Sequence, residues 1–424
     1  MGTPEVTPTL AATETVRAPA QRWRWFAPAL VVAWIVGMID KVGVGVIAAN
    51  NGFLVSMHLV GKPAEVGLLT TVMLVFYGLF MPVWGILVDR YGARKCAIAG
   101  LTLWGLSTLL AAAASGVTVL LVSRAILGAA EGFLWPVSNA LTARWFPLSE
   151  RGRAKSVWIN GINVGLAVSG FLVNGVIGLS GWRAVFLVLS GLALLICVPA
   201  AFFLIRDDPS EHPRISAAEL AVIRGDKLDA GNTTLSRELR TGAYWLAVVA
   251  WTANNFGVFG LATWFPTYLE KNEGLSTGDA SLFIALAFAG CIIAGPLVGW
   301  ASDRMHRKAV WLLAGFVIAV VFLGLTRIGS GVPIQLTGVI GAIIGIEGFT
   351  TIAGQGVLHS IAPNERMGRA IGIMTGTANF IAAFSATIMG ALIGAGGFGA
   401  AFIFLMGIFA IGAVAGLLLH RSRY

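Results

Sequence analysis

Twelve apolar stretches run along the chain, at approximately 25–49, 65–88, 96–114, 117–141, 156–179, 183–205, 242–269, 279–301, 309–327, 333–358, 370–393 and 398–419. Each is long enough for a helix, rising about 1.5 Å per residue, to cross the ~30 Å hydrocarbon layer of a bilayer. Inside lipid every backbone N–H and C=O must find its partner within the segment, so helices are the expected form. Composition agrees: 57% of the 424 residues are hydrophobic and 12% charged, against about 25% charged in water-soluble proteins. The expected fold is an all-α integral membrane protein of twelve transmembrane helices.

An even number of crossings puts both chain ends on one side. Twenty-three of the 29 Lys and Arg residues fall on that side. Lys62, Arg183, Lys271 and Arg327 fall on the other, and Lys41 and Arg124 lie within apolar stretches. By the positive-inside rule both termini are expected to be cytoplasmic, in a cell (inner) membrane. The net charge of +9 is then a topology signal rather than a nucleic-acid patch. The first 20 residues carry Glu5 and Glu14 and no separate apolar core, so residues 1–24 read as a cytoplasmic tail rather than a cleavable signal peptide. Cys96, Cys197 and Cys291 have neither metal-ligand nor pairing spacing and read as packing residues.

The chain repeats itself at an offset of about 215 residues. "MPVWGILVDRYGARK" (81–95) matches "GPLVGWASDRMHRK" (295–308); "EGF" at 131–133 recurs at 347–349; "FPLSERGRA" (146–154) recurs as "APNERMGRA" (362–370); and Asn163 has Asn379 as its counterpart. Two pseudo-symmetric six-helix halves are expected, 25–205 and 241–424, joined by a cytoplasmic loop at 206–240. Within that loop "SAAELAVI" (216–223) places Ser216 three residues before Glu219, a capping-box pattern that predicts a short surface helix. Internal repeats in a polytopic chain point to alternating access, with a site near midplane at the repeat interface.

Four charged residues interrupt the apolar stretches of the first half. Asp40 lies roughly 22 Å from one end of its segment and 13 Å from the other at helical rise, and a charge near the bilayer centre costs about 2.5–3.5 kcal/mol on insertion scales. A structural ion pair, a snorkelling Lys41 or a transport role each accounts for it. Asp40 and Lys41 point about 100° apart on a helix, so they do not simply neutralise one another. Arg124 and Glu131, seven residues apart, share one helical face. Asn254 and Asn255 stand roughly where the repeat would put Asp40, so the second half supplies neutral polar groups in place of paired charges. Glu347, the repeat partner of Glu131, reads equally as a structural or a coupling carboxylate. Asn160, Asn163 and Asn379 are cavity candidates that also read as interhelical ties. Trp264, Phe265 and Tyr268 fit a gate or an interfacial aromatic belt. Neither a nucleophile–base arrangement, a metal cluster nor a phosphate loop is present, which argues against an enzyme and implies no cofactor.

On its motifs the sequence resembles the major facilitator superfamily. The signature G-x-x-x-D-R-x-G-x-R-K/R is matched by Gly85, Asp89, Arg90, Gly92, Arg94 and Lys95, with Asp303 and Arg304 in the repeat. The resemblance implies that these residues gate the cytoplasmic end, holding an outward-open state and parting on inward opening. "RAILGAAEGFLWP" (124–136), "RWFPLSERGRA" (144–154) and "GWRAVF" (181–186) further resemble the anion:cation symporter family, whose members carry sugar acids, aromatic acids and related organic anions. That resemblance makes Asp40 and Glu131 proton-coupling sites and Lys41 and Arg124 ligands for a substrate carboxylate. Tyr77, Asn160, Asn163, Asn254, Asn255 and Asn379 are then cavity residues that bind substrate. Three positions depart from the family pattern: Lys41 replaces an Arg, Met38 an aromatic residue, and Met81 a Gln. Lys lacks the planar fork that grips a carboxylate at two points. The expectation is a monomeric secondary transporter that takes up an organic carboxylate with protons. An anion exchanger or exporter, and a non-transporting sensor of the same fold, are the alternatives.

Overall fold

The structure, a computed structural model, describes residues 21–225, 241–305, 307–329, 331–361 and 367–422. The tail before residue 21, loop residues 226–240, the repeat segment 362–366 and the Asp303 side chain lie outside the described residues. The first six long helices are α1 (Gln21–Ala49), α2 (Pro63–Tyr91), α3 (Ala93–Ala112), α4 (Val117–Trp145), α5 (Leu148–Ser180) and α6 (Trp182–Leu204). They are followed by α7 (Gly242–Asn272), α8 (Thr277–Met305), α9 (Lys308–Ile328), α10 (332–361), α11 (367–395) and α12 (398–421). The last two run on as one element, Ser385–Arg421, until Gly396 and Gly397 leave helical geometry. Gly397 has φ +71°, a conformation costly for any residue with a Cβ, and this is where the chain reverses. Twelve crossings result. Their outward faces carry exposed Leu179, Leu195, Ile293, Leu297, Trp300 and Ile328, an apolar exterior suited to lipid rather than water.

Some helices outrun their apolar stretches. α1 starts at Gln21 and α5 at Leu148, because hydropathy marks only the part a helix buries in lipid. α5 extends through the charged "SERGRAK" turns beyond it. The loop helix forms at Ala217–Gly225, with Ser216 Oγ accepting the Glu219 N–H at 3.1 Å. The Glu219 carboxylate turns inward: Oε1 accepts from the Arg22 backbone N–H at 3.1 Å and from Arg22 Nη1 at 2.9 Å, while Arg22 also pairs with Glu150. The loop is thereby fastened to the starts of α1 and α5.

α1 packs on α5 and α2 on α4; the first six helices meet the last six along α1–α7, α2–α11 and α5–α8. At the bundle end away from the chain termini, this meeting is made through glycine. A Cβ on Gly45 would lie 2.6 Å from the Thr263 carbonyl oxygen, one on Gly67 would run into the Ala386 carbonyl, and one on Gly390 into that of Pro63. Helices that close are held by backbone-to-backbone packing. Among the described residues, the side-chain hydrogen bonds joining the two sets of helices also gather toward this far end. Thr71 Oγ1 donates to the Ala383 carbonyl at 2.8 Å, Asn174 Nδ2 to Ser281 Oγ at 3.1 Å, and Lys271 Nζ to Asn51 Oδ1 at 2.8 Å. The far end is shut.

A side chain at Gly45 should therefore hold the far end open. In a Gly45→Val background, a cysteine placed at the buried Thr71 position should react faster with a membrane-impermeant maleimide than it does in the parent. Unchanged labelling would show that the glycine contacts do not govern closure.

Candidate functional site

Asp40, two-thirds of the way along α1, sits in a pocket built by three other helices. Its Oδ2 accepts from Trp104 Nε1 at 2.6 Å and lies 3.0 Å from Thr108 Oγ1, both on α3. Its Oδ1 accepts from Arg124 Nη1 of α4 at 3.3 Å. The Arg124 guanidinium lies over the Phe186 ring of α6, 5.1 Å from its centroid. Asp40 and Arg124 are each only 1% exposed, so this pair is sealed within the first six helices. Arg124 nevertheless keeps Nε and Nη2 without a hydrogen-bond partner among the described residues.

Lys41 turns to the adjoining face of α1, as the 100° step requires. Its Nζ lies 3.4 Å from Glu131 Oε2 and 4.1 Å from the centroid of the Tyr77 ring on α2. Sequence pattern explains why Glu131 comes so close. Regular helix in α4 ends at Glu131, a turn occupies Gly132 and Phe133, and helix resumes at Leu134. Gly128 faces the Met73 carbonyl, and a Cβ on Gly132 would lie 3.2 Å from the Met81 amide nitrogen, so α4 presses directly on α2. Glu131 is fully buried, yet neither carboxylate oxygen accepts a hydrogen bond from a described residue. The four charges thus form two pairs, Asp40–Arg124 and Lys41–Glu131, and sum to zero. They differ in grip: Asp40 has three donors around it, whereas Glu131 has a cation at ion-pair distance and nothing else.

The polar residues of the last six helices are bonded mainly to each other. Asn255 Nδ2 donates to Asn379 Oδ1 at 2.7 Å, Asn254 Nδ2 to Thr351 Oγ1 at 3.2 Å, and Thr350 Oγ1 donates to Asn254 Oδ1. Glu347 sits in a π-helical turn, Ile344–Thr350, and accepts from Thr351 Oγ1 at 3.0 Å. Such turns inside α-helices often mark functional positions. Asn160 is exposed and Asn163 half-buried on α5. Trp264, Phe265 and Tyr268 are all buried, which fits packing at the closed end and not a lipid-facing belt.

At the terminal end, Asp89 and Arg90 of the signature form no ion pair among the described residues. A Cβ on Gly85 would meet nothing within 4 Å, so this glycine seats no neighbouring helix here. Asp89 and Arg90 are exposed, Arg90 lying over Tyr91, and Arg304 lies over Trp300. Arg94 Nη2 donates to the Phe202 carbonyl at 2.7 Å. An anchor not anticipated from sequence is Asp207, whose Oδ1 accepts from the Ala93 N–H at 2.5 Å and from Arg144 Nη1 at 2.9 Å. It caps the first turn of α3 where Gly92, φ +90°, joins that helix to α2. "IRDDP" carries it, but nothing in local spacing ties that aspartate to a turn 114 residues away.

The unequal grip on the two carboxylates predicts unequal costs. Asp40→Asn leaves the Arg124 charge buried and unbalanced and should lower stability in detergent by about 3–5 kcal/mol. Glu131→Gln also leaves a buried cation, Lys41, without its partner, but should cost less, since no hydrogen bond to the carboxylate is lost and Lys41 keeps the Tyr77 ring at 4.1 Å. Thermal unfolding of the two variants checks the order, and a reversed order would contradict the assigned pairs.

Comparison with known proteins follows the same lines. The chain is 27% identical to the probable sulfoacetate transporter SauU of Cupriavidus necator over 70% of its own length and 68% of that protein. It is 27% identical to the D-galactonate transporter of Escherichia coli, over 84% and 86% of the two chains. A probable chloroplastic anion transporter of Arabidopsis thaliana is 33% identical over 53% of this chain, which spans only 45% of that longer protein. Among solved structures, a bacterial homologue of the human lysosomal transporter Spinster, in an inward-facing and unoccupied conformation, superposes with a TM-score of 0.78 at 17% identity. That match covers 96% of this chain and 98% of the other. The profile of the Major Facilitator Superfamily matches residues 29–353 and 274–424, and the chain belongs to that superfamily of membrane transporters.

Proposed function

We propose that the protein takes up an organic carboxylate together with protons, Lys41 and Arg124 binding the anion and Glu131 carrying the proton. The observation that carries this reading is the state of Glu131: fully buried, 3.4 Å from Lys41 Nζ, and without a hydrogen bond on either oxygen. An incoming carboxylate competes with Glu131 for Lys41; the unpartnered Nε and Nη2 of Arg124, buried in this conformation, join it only when the first six helices shift to uncover them. Once displaced, Glu131 is a buried anion with no partner, and burial drives such a group to take a proton. The cluster starts neutral, so a monoanion plus one proton leaves it neutral. Without the proton the loaded cluster would carry a net charge through the membrane, at a cost of about 2.5–3.5 kcal/mol or more. A dianion requires a second proton, and Asp40 is the group to take it, releasing Arg124.

Several further features support the reading. Relatives at 27% identity bear the names sulfoacetate and D-galactonate transporter. The basic residues crowd the terminal side, which makes that side cytoplasmic by the positive-inside rule. The shut far end and the free-standing Gly85 fit a conformation open to the cytoplasm, reached by rocking 25–205 against 241–424 about the site.

Glu131→Gln should abolish accumulation driven by a pH gradient in proteoliposomes while sparing exchange of labelled for unlabelled substrate. Lys41→Gln removes a charge-assisted bond worth about 1.5–3 kcal/mol, so apparent affinity should fall about ten- to hundredfold. Full gradient-driven accumulation by Glu131→Gln would overturn the scheme, and uptake indifferent to any pH gradient would favour an exchanger.

A further inference from the structure

One helix of the last six is broken where nothing in its own sequence asks for a break. α11 runs regularly from Met367 to Ala382, turns at Ala383 and Phe384, and is helical again from Ser385. Its ladder lapses at the turn. Ala383 N–H still reaches the Asn379 carbonyl at 2.9 Å, Phe384 N–H reaches only the Ile381 carbonyl at 3.4 Å, and the next regular bond is Ile388 N–H to the Phe384 carbonyl at 2.9 Å. The stretch "NFIAAFSATIM" (379–389) holds neither proline nor glycine, the commonest local causes of a break; a side chain inserted into the ladder is another. No side chain caps the restarted segment, and the Ser385 hydroxyl at its first position is buried without a partner among the described residues. An uncapped helix start inside the protein is costly, so a contact from outside α11 must offset it.

The inserted group is Thr71 of α2. Its Oγ1 donates to the Ala383 carbonyl at 2.8 Å and lies 2.8 Å from Thr387 Oγ1. In an unbroken helix the Ala383 carbonyl would take the Thr387 N–H. Here a hydroxyl from the first six helices is spliced between those two residues, and Thr71 and Ala383 are both buried. Gly67, one turn along α2 from Thr71, presses on the Ala386 carbonyl just past the break. The α5–α8 seam supplies the contrast. There Ser281 Oγ of α8 donates to the Thr277 carbonyl of its own helix at 2.9 Å, and α5 opposite runs unbroken from Leu148 to Ser180. A hydroxyl turned across a seam goes with a broken helix, and one turned to its own helix with a whole one.

We propose that Thr71 is a positioning residue of the transport cycle: it holds α11 broken only while the far end is shut, and α11 closes into one continuous helix when α2 withdraws. The Thr387 N–H is at hand for the freed Ala383 carbonyl, so the opening that breaks the seam mends the helix. That exchange lowers the cost of leaving the shut state. The break lies between Asn379, which accepts from Asn255 at 2.7 Å, and Gly390, which packs on the Pro63 carbonyl. Mending it therefore moves the far-end seam relative to the polar residues deeper in the same helix. None of this depends on Glu131 or on which anion is carried.

The test uses the full-length protein in nanodiscs, with nitroxides placed in pairs by cysteine substitution. Ile373→Cys with Ile388→Cys spans the break, and Val60→Cys with Ile328→Cys spans the far end between the two sets of helices; all four positions are exposed. Pulsed electron paramagnetic resonance reads both distances. Gly45→Val should lengthen the far-end distance and move the α11 distance with it, toward that of a straight helix in which fifteen residues rise about 22 Å. Thr71→Val, which removes the hydroxyl at little change of shape, should move the α11 distance the same way. It should also raise the open-to-shut ratio at the far end about five- to tenfold. Thr71→Ser should match the parent. A far end that opens in Gly45→Val with the α11 distance unmoved would overturn the proposal, since the break would then be permanent. An α11 distance that Thr71→Val leaves at the parent value would do the same. Either result leaves the carboxylate reading standing, because no substrate enters the measurement.

Discussion

Four buried charges that must sum to zero govern the first six helices. Removing an ion from water costs several kcal/mol even after the protein relaxes, and attraction to a partner offsets that only where geometry is good and remaining donors and acceptors are met. Asp40 meets the condition, with Trp104, Thr108 and Arg124 converging on it from α3 and α4. Glu131 does not, and the imbalance is informative. A carboxylate held by distance alone is the one an incoming anion can displace at least cost, so in the proposed function the weaker pair is the one that exchanges partners. The stronger pair keeps α1, α3 and α4 in register while that happens.

Helix irregularity puts these groups where they are needed. "EGF" occurs twice in the chain, and in each half it marks the place where an α-helix departs from regular geometry. In α4 the helix stops at Glu131 and restarts at Leu134; in α10 a π-helical turn runs from Ile344 to Thr350 around Glu347. The two departures differ in kind, and so do their surroundings. Glu131 looks across to Lys41, while Glu347 faces an apolar cavity and receives one hydroxyl from its own helix. The two halves share the carboxylate but not its counter-charge.

Much of this was legible in the sequence. Apolar length alone gave twelve helices, because lipid leaves the backbone no other way to satisfy itself, and Asp40, Lys41, Arg124 and Glu131 stood out for their cost. Spacing could not say who pairs with whom. Arg124 and Glu131 share a helical face and read as one site, yet they are divided between two partners that happen to be adjacent on α1. Nor could local pattern reveal that Gly85 would stand free, that Asp207 would cap α3, or that the Glu219 carboxylate would turn to Arg22 while its N–H keeps the Ser216 cap. Each depends on elements distant in sequence and, for Gly85, on which conformation the bundle occupies. The asparagines read as cavity groups because they are polar in an apolar setting; in this conformation Asn255 bonds Asn379, and Asn254 bonds Thr350 and Thr351.

The same constraint of neutrality connects the charged cluster to the closure of the bundle. A bundle that alternates access must pass through a state in which the loaded site is sealed from water at both ends. In that state any unbalanced charge or unpaired hydroxyl is paid for in full, because no solvent remains to screen it. Far-end closure here is made by Gly45, Gly67 and Gly390 packed against backbone carbonyls. In the proposed function, a head neutralised by Lys41 and a proton on the displaced Glu131 satisfy that sealed state together, and the loss of either would stop the cycle there, whichever way the gradient pointed.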